Sequence, residues 1–333
     1  MVRPILLQVR DIYYPILGAI GVPANLVTII ILSRGNCGPS KCISVYMLAI
    51  TTADLLVMVI NVLTYNVLSY HFPHIFLFYT VVCKLIMYLQ CTSLHLSVWF
   101  TVSLTFDRFV AICSQKFKTR YCTVRTAAMV ITTIGVLTAL GNINNLFRYE
   151  PVRTVNNVQL GFRPSQDFYS SPAARTFSWL ESILAAWIPF TLIFLFNCMR
   201  VSRILASSRA CRGLQGYSSK NQSDPEMKNR RKSIILLFTV SGTFMLLWLT
   251  CIVTFLIVGL GIYAQPDYTA PAYIASETGY MLVYLSSFTN TFIYAATQTK
   301  FREELKKIMK SPWTIILILV KKMTNGTNSS CPN

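Results

Sequence analysis

Five polar residues interrupt stretches that are otherwise apolar, and their side chains suit the binding of a hard cation. They are Asn25, Asp54 in LAITTADLL, Ser97, Ser287 and Asn290. A carboxylate inside a bilayer needs a proton, a cation or hydrogen-bond donors, and oxygen atoms are the preferred ligands of hard cations. The sequence therefore predicts one of two arrangements around Asp54. One is a sodium site formed with Ser97, Ser287 and Asn290, and the other is an interhelical hydrogen-bond cluster without an ion.

The adjacent residues Asp107 and Arg108 form a second polar feature, at the end of a long apolar stretch. A neighbouring ion pair at a helix end contributes little to stability by itself. Its position is more informative, because Arg108 follows Cys83 by 25 residues. At about 1.5 Å per helical residue this separation is roughly the thickness of a bilayer, so Cys83 and Arg108 are expected at opposite membrane faces.

The sequence contains no recognisable catalytic constellation. Its three histidines, His71, His74 and His95, have no nucleophile and acid arranged around them, so the chain is not predicted to be an enzyme. His95 is interpreted instead as an interhelical hydrogen-bonding residue. The ten cysteines form neither a CxxC motif nor a Cys/His cluster. We therefore expect no organic cofactor and no transition metal, which leaves sodium as the candidate ion.

The composition predicts a protein dissolved in lipid. Of 333 residues, 53% are hydrophobic and 13% are charged, and the mean hydropathy is +0.50. The net charge of +18 would suggest nucleic acid in a soluble protein. Here the basic residues lie between apolar segments, so membrane lipids and not nucleic acid are the expected partners.

Seven apolar stretches are long enough to cross a bilayer as helices, which predicts an all-α membrane protein with a seven-transmembrane helix bundle. They are Ile12 to Leu32, Ile43 to Tyr65, Tyr79 to Cys113, Ala127 to Phe147, Phe177 to Leu205, Ile234 to Tyr263 and Ala272 to Thr297.

A short amphipathic eighth helix is predicted after the seventh span. In KFREELKKIMK, the apolar residues Phe301, Leu305, Ile308 and Met309 recur at helical spacing between bases, as in a helix lying at the membrane interface. The predicted organisation is an extracellular segment 1–11, a transmembrane domain 12–299, the interfacial helix 300–310 and a cytoplasmic tail 311–333.

The distribution of basic residues predicts the orientation of the chain. Cytoplasmic segments retain Lys and Arg, and 23 of the 30 fall on one side of the predicted spans. The N-terminus is therefore expected outside the cell and the C-terminus in the cytoplasm, in the plasma membrane. The outer bases are Arg3, Arg10, Lys84, Arg148, Arg153, Arg163 and Arg175.

In this order and spacing, the motifs resemble the rhodopsin-like (class A) family of G-protein-coupled receptors from Gly21 to Lys307. The matching features are GVPANLV, LAITTADL, Cys83, SLTFDRFVAIC, Pro189, Phe244, Trp248, NTFIY and Phe301. The segments GVPANLVTIIILS, HLSVWFTVSLTFDRFVAIC and GLQGYSSK are most similar to an orphan branch that includes receptors responsive to aromatic amino acids.

The resemblance implies a switch that carries a signal from an extracellular ligand to a heterotrimeric G protein. Asp107 would hold Arg108 at rest and release it to the G protein when the sixth helix swings outward. Trp248 would lie beneath the ligand, and Asn290 and Tyr294 would rearrange with Arg108. The same resemblance implies a sodium pocket formed by Asp54, Ser97, Ser287 and Asn290.

Several positions depart from the family pattern and change these expectations. The family's prolines in the sixth and seventh spans are Thr250 and Thr291, which predicts weaker kinks. The second outer loop contains no cysteine to pair with Cys83. The fifth-span tyrosine is Asn197, and Arg230 stands where an acid would begin the sixth span, so we predict a loose resting state with raised basal activity.

The predicted ligand pocket is formed by Gln90, Leu94, Glu181, Trp248, Phe255 and Tyr280. Gln90 stands where amine receptors of the family carry an aspartate, which argues against an amine. Glu181 would attract a cation or an amino group, between the aromatic walls Phe255 and Tyr280. The alternative is that Glu181 and Glu277 simply face water. The expected ligand is a small molecule or a short peptide.

Two other functional classes have different sequence signatures. A transporter would show inverted repeats and helices broken at the midplane, and the sequence has neither. A receptor-like scaffold or dimer partner that no longer couples to G proteins remains the alternative, because Thr250, Thr291 and a second outer loop without cysteine depart from the pattern of working receptors.

Overall fold

A computed structural model describes residues 4–35, 40–71, 79–113, 117, 120–156, 158–214, 235, 238–253 and 270–310. Seven long helices, α1 to α7, and a short helix α8 account for most of these residues. Their bounds are α1 Ile5–Ser33, α2 Lys41–Leu68, α3 Thr80–Cys113, α4 Val124–Phe147, α5 172–214, α6 Phe238–Val253, α7 Pro271–Thr297 and α8 299–310. Five of them, α1 to α5, are long and apolar enough to cross a membrane by length and composition.

Each predicted span overlaps one of these helices, and helix α1 starts earlier than predicted. It begins at Ile5 and not at Ile12, so the predicted boundary between 1–11 and 12–299 falls inside a helix. Pro4 precedes the first turn, a position that proline tolerates because the first N–H groups of a helix have no internal partner. Helix α8 begins one residue before the predicted start at Lys300. The predicted tail 311–333 lies outside the described residues.

Two helices contain wider turns. Helix α2 becomes a π-helix at Met58–Leu68. Helix α5 is built from Pro172–Ser182, a π-helical Ile183–Trp187 and Ile188–Leu214. The wide turn of α5 lies directly before Pro189, whose ring has no N–H to donate to the carbonyl group four residues earlier. Helix α4 ends in a tighter 3₁₀ turn, Ile143–Phe147.

The helices pack through clusters of buried apolar side chains. At the α1–α2 contact, a side chain at Gly18 would collide with Leu63, so glycine allows the two backbones to approach closely. Large side chains on the outer faces remain exposed, among them Leu246 at 73% and Leu137 at 63%. Exposed apolar surface of this kind suits contact with lipid and not with water.

The amphipathic character predicted for α8 agrees with its packing at three of four positions. Phe301 is fully buried, and Leu305 and Ile308 pack against the core cluster that contains it. Met309 differs, because 64% of its surface is exposed. Arg302 ties α8 to the end of α7 by donating hydrogen bonds to the carbonyl groups of Ala295 and Ala296.

The loop between α4 and α5, named the outer loop after its predicted extracellular position, folds into two short antiparallel ladders. Strand β1, Tyr149–Glu150, pairs with β4, Arg163–Pro164, and β2, Arg153–Val155, pairs with β3, Val158–Leu160. A positive φ of 70° at Gly161 accommodates the bend between β3 and β4 at low steric cost.

Candidate functional site

The Asp54 carboxylate lies at the centre of the bundle and is completely buried. Ser97 of α3 donates its hydroxyl to Oδ1 at 2.5 Å, and Asn290 of α7 donates its amide to Oδ2 at 2.8 Å. Both carboxylate oxygens therefore accept a hydrogen bond from another helix. Three of the five polar residues singled out in the sequence meet in these two bonds, the Ser287 side chain also interacts with the carboxylate, and the four together link α2, α3 and α7.

The fifth polar residue, Asn25, forms a neighbouring contact between α1 and α7. Asn25 donates its amide to the main-chain carbonyl of Ser287 at 3.0 Å. Its Oδ1 atom is buried and has no hydrogen-bond partner among the described residues. An unpartnered buried acceptor is costly and indicates a missing donor or cation. Carboxylate, amide and hydroxyl oxygens of this cluster thus fit a hard cation.

A small cavity adjoins the carboxylate cluster on the side of α6. Its lining residues are Ser97, Thr101, Val240, Phe244, Ser286, Thr289 and Asn290. Phe244 stacks on Trp248 with their rings 5.1 Å apart, and the Trp248 indole N–H donates to the Ser286 hydroxyl at 3.1 Å. The predicted switch residue Trp248 is therefore connected to the wall of the cavity that also borders Asn290.

The pair Asp107 and Arg108 lies near the C-terminal end of α3, the end predicted to face the cytoplasm. Asp107 is fully buried, and the Arg108 guanidinium donates to its Oδ2 atom through Nε at 2.8 Å and through Nη2. The Cys42 thiol of α2 donates to Oδ1 at 3.5 Å. Tyr121 lies in the loop after α3. Its pKa is raised mainly by burial and secondly by the nearby Asp107 carboxylate. Arg108 is thus held by a carboxylate that is itself fixed between two helices.

The seventh helix is continuous through the position where the family has proline. Thr291 instead places its hydroxyl 2.9 Å from that of Thr28 on α1. One turn later, Tyr294 is fully buried, with its ring 6.0 Å from that of Phe301 on α8. Where the family has proline, this chain therefore has a hydrogen bond between α1 and α7.

The predicted ligand residues have different environments, and one of them is not described by the structure. Gln90 is buried in the outer half of α3, and Leu94 packs against the core cluster that contains Trp248. Tyr280 of α7 stacks on Tyr284 with their ring centres 6.2 Å apart. Phe255 lies outside the described residues.

Glu181 is already paired with a base of this chain. Its carboxylate accepts a hydrogen bond from Arg148 at 2.5 Å and one from the Asn145 amide at 3.2 Å. The 3₁₀ turn at the end of α4 brings both donors beside α5, which the sequence did not indicate. The prediction that Glu181 would attract a ligand cation must therefore allow for Arg148 as a competitor. The Glu277 carboxylate oxygen Oε2 lies 3.9 Å from the guanidinium nitrogen Nη1 of Arg10 on α1.

The outer loop is fastened to α3 by hydrogen bonds. The Thr80 hydroxyl at the start of α3 donates to the Gly161 carbonyl at 2.6 Å, and Tyr79 forms an antiparallel bridge with Leu160. Both contacts lie within four residues of Cys83, where the family pattern implies a disulfide. The hairpin is therefore positioned without the covalent link that the resemblance implied.

One charged residue inside the bundle was missed by the sequence analysis. Arg200 of α5 is completely buried, donates to the Asn197 side chain at 3.0 Å, and has its guanidinium 4.5 Å from the centre of the Phe238 ring. The predicted span Phe177 to Leu205 contains it, yet the basic residues of that side were all expected in loops. That overlap was the available signal.

Comparison with known proteins agrees with this arrangement. The family described as 7 transmembrane receptor (rhodopsin family) matches residues 24–294. The type-2 angiotensin II receptor of Rattus norvegicus is 23% identical over 317 residues, which cover 92% of this chain and 81% of that receptor. The allatostatin-A receptor of Bombyx mori is 24% identical over 318 residues, covering 94% and 82%. The galanin receptor type 1 of Homo sapiens is 22% identical over 310 residues, covering 90% and 81%.

The family match confirms two of the sequence predictions. It confirms the all-α bundle of seven membrane helices, and it confirms that the chain is not an enzyme, because the family consists of receptors. The match covers all the switch and cluster residues from Asp54 to Tyr294. The chain belongs to the rhodopsin family of seven-transmembrane receptors.

Proposed function

We propose that this chain is a G-protein-coupled receptor of the plasma membrane, with its N-terminus outside the cell and its C-terminus in the cytoplasm. The observation that carries the proposal is the buried Asp107 carboxylate that holds Arg108 at the cytoplasmic end of α3. The Arg108 guanidinium can be either bound to Asp107 or released from it. A G protein that binds the released form shifts the equilibrium towards that form. Trp248, Asn290 and Tyr294 would connect this end of the bundle to the ligand.

The proposed ligand is a short extracellular peptide. Its support comes from three relatives whose names refer to angiotensin II, allatostatin-A and galanin. An aromatic amino acid is the second candidate, because GVPANLVTIIILS and HLSVWFTVSLTFDRFVAIC resemble the orphan branch with such ligands. Gln90, Leu94, Trp248 and Tyr280 are the proposed pocket residues within the described chain. Glu181 would contribute by exchanging its contact with Arg148 for one with the ligand.

A sodium ion is the proposed ligand of the central cluster. Asp54, Ser97, Ser287 and Asn290 would hold it, and the unpartnered Oδ1 of Asn25 supports an oxygen-rich site. The ion would stabilise the resting bundle by binding it in preference to the active one. Such differential binding is the only means by which an ion can bias the switch.

A non-coupling membrane scaffold is the alternative function. Thr291 favours it, because the hydrogen bond to Thr28 fastens α7 to α1 at the position where the family has proline. A bundle fastened in this way would resist rearrangement of Asn290 and Tyr294. The choice between the two functions depends on whether the chain activates any G protein.

The deciding experiment is a G-protein activation assay in cells, with a panel of short peptides and aromatic amino acids. The native chain is compared with Arg108→Ala and with Arg120→Ala, an exposed base in the loop after α3, at equal surface expression. A working receptor should lose its response in Arg108→Ala and keep it in Arg120→Ala. Silence of the native chain across all G-protein classes would support the scaffold.

A further inference from the structure

A chain of hydrogen bonds joins α3, α4 and α5 in the half of the bundle predicted to face outward. It begins at His95 of α3, whose Nδ1 atom lies 3.0 Å from the side-chain amide nitrogen of Asn142 on α4. Asn145, in the 3₁₀ turn that follows, donates its amide to Oδ1 of Asn142 and to Oε1 of Glu181, both at 3.2 Å. Arg148 donates to the other carboxylate oxygen of Glu181 at 2.5 Å. Every member of the chain therefore depends on its neighbour.

The amide of Asn142 determines the protonation state of His95. Its Nδ2 atom carries two hydrogens, and one of them is donated to the main-chain carbonyl of Thr138 at 2.8 Å. The second hydrogen is the one that points to Nδ1 of His95. Since Asn142 offers a donor there, Nδ1 must accept. The His95 ring is therefore neutral, with its proton on Nε2.

A proton added to Nδ1 would have no acceptor in this arrangement. Turning the Asn142 amide over would supply one, but its oxygen would then face the carbonyl oxygen of Thr138 and its hydrogens would face those of Asn145. Asn142 and Asn145 are only 3% and 1% exposed, so water does not replace a lost bond cheaply. The mismatch reaches Glu181, because the same Asn145 amide donates to it.

The charges around His95 leave the outcome to these amides. Two described charges act on the ring, the Glu181 carboxylate and the Arg148 guanidinium, and their effects have opposite signs. Because the two groups are paired with each other, these effects largely cancel. The titratable groups Cys91 of α3 and Tyr280 of α7 lie within electrostatic range of Glu181, and both types are uncharged near neutral pH.

We propose that His95 is a binding site for a proton from the extracellular side, and that binding weakens the contact of Asn145 with Glu181. A proton can reach the chain at its outer end, where the side chains of Arg148 and Glu181 are 17% and 12% exposed. Acid would thus control how firmly the chain itself holds Glu181, a proposed pocket residue. The inference goes beyond the proposed coupling and does not depend on it, because its readouts are properties of the purified receptor.

The first test is the thermal midpoint of the full-length receptor in nanodiscs between pH 7.5 and 5.5. The folded chain holds His95 neutral, whereas the unfolded chain binds a proton near pH 6.5, so stability should decrease as the pH falls. We expect the native midpoint to fall by about 2 to 4 °C more than that of His95→Asn, which keeps an acceptor but binds no proton. The exposed control His71→Asn should fall as the native chain does. This difference isolates His95 from every other acid and base.

A second variant changes the partner and leaves the histidine in place. Asn142→Asp supplies a carboxylate that accepts a hydrogen bond from a protonated His95 ring and favours its charge. The part of the acid loss that depends on His95 should therefore disappear in this variant. An undiminished loss in Asn142→Asp, or equal losses in the native chain and in His95→Asn, would overturn the inference.

Nitrogen NMR of the histidine rings tests the proposal without a change in the hydrogen-bond chain. The chain has three histidines, so the double variant His71→Asn/His74→Asn, purified without a histidine tag, retains His95 alone. We expect a neutral ring with its proton on Nε2 at pH 7.5, and a protonated ring that gains population over the pH range in which the native midpoint falls. A proton on Nδ1 at pH 7.5, or a ring still neutral at pH 5.5, would refute a proton site at His95.

Discussion

At the scale of single residues, the central carboxylate is the group whose environment is best defined. Asp54 accepts hydrogen bonds from Ser97 and Asn290 on its two oxygens, and the buried Oδ1 atom of Asn25 accepts none from the part of the chain that the structure describes. Donors alone would satisfy the carboxylate, whereas the unused acceptor of Asn25 requires a donor or a cation. Sodium dependence of stability separates these two arrangements.

We predict that sodium stabilises the native chain and that Asp54→Asn abolishes the effect. At a sodium concentration ten times the dissociation constant, binding would raise the free energy of unfolding by about 1.4 kcal/mol. The measurement is the thermal midpoint of the purified receptor in sodium chloride and in choline chloride. The exposed acid variant Asp167→Asn should respond as the native chain does. Equal midpoints of the native chain in the two salts would identify an ion-free cluster.

At the scale of helices, the approach of α6 to α7 depends on one small residue. A side-chain carbon at Gly279 would lie 3.0 Å from the Cα atom of Cys251, which is backbone and has little freedom to move. The contact lies one turn above Trp248, whose indole donates to Ser286 of α7. The position of α6 is therefore set by the packing of backbones as well as by side chains.

Gly279→Ala should destabilise the receptor by about 1 to 3 kcal/mol, because it overpacks this helix contact. Gly242→Ala on α6 is the matched control, since a side-chain carbon there would meet no atom within 4 Å. That variant should be neutral or slightly stabilising, because alanine favours helix more than glycine. Thermal midpoints of the two purified variants provide the comparison. Equal loss of stability in both would show that helix propensity and not the α6–α7 contact matters.

The outer hairpin provides a second prediction at the scale of elements. Thr80→Val removes the hydroxyl that donates to Gly161 at 2.6 Å, and should cost about 1 kcal/mol of stability. Thr176→Val is the control, because its exposed hydroxyl bonds only within its own helix.

Since the second outer loop contains no cysteine, dithiothreitol should leave the thermal midpoint of the native chain unchanged. A large drop in that midpoint on reduction would reveal a stabilising disulfide.

At the scale of the whole molecule, hydropathy and charge were sufficient to predict the fold. A carboxylate such as Asp54 is also visible in sequence, because it is isolated in an apolar run. The pairing of Glu181 with Arg148 could not be predicted, since it depends on the 3₁₀ turn that ends α4. The burial of Arg200 was equally hidden, because a base near the end of a span can extend to the membrane surface or point inward with equal ease.

The molecule as a whole is predicted to signal without a ligand. Asn197 stands where the family has tyrosine and bonds to Arg200 instead. The buried Arg200 lacks an acid partner among the described residues, so closing the bundle carries a cost that an open, hydrated state avoids. Both features favour the active arrangement in the absence of ligand.

The most direct test of a coupling-competent receptor is basal nucleotide exchange on purified heterotrimeric G proteins of each class. Membranes containing the native chain are compared with membranes containing equal amounts of Arg108→Ala, and with membranes that lack the receptor. We expect the native chain to accelerate exchange on at least one class, and Arg108→Ala to reduce that acceleration about tenfold, as for loss of a charge-assisted contact. Equal exchange rates in all three membranes, for every class and with every ligand tried, would contradict the proposed function.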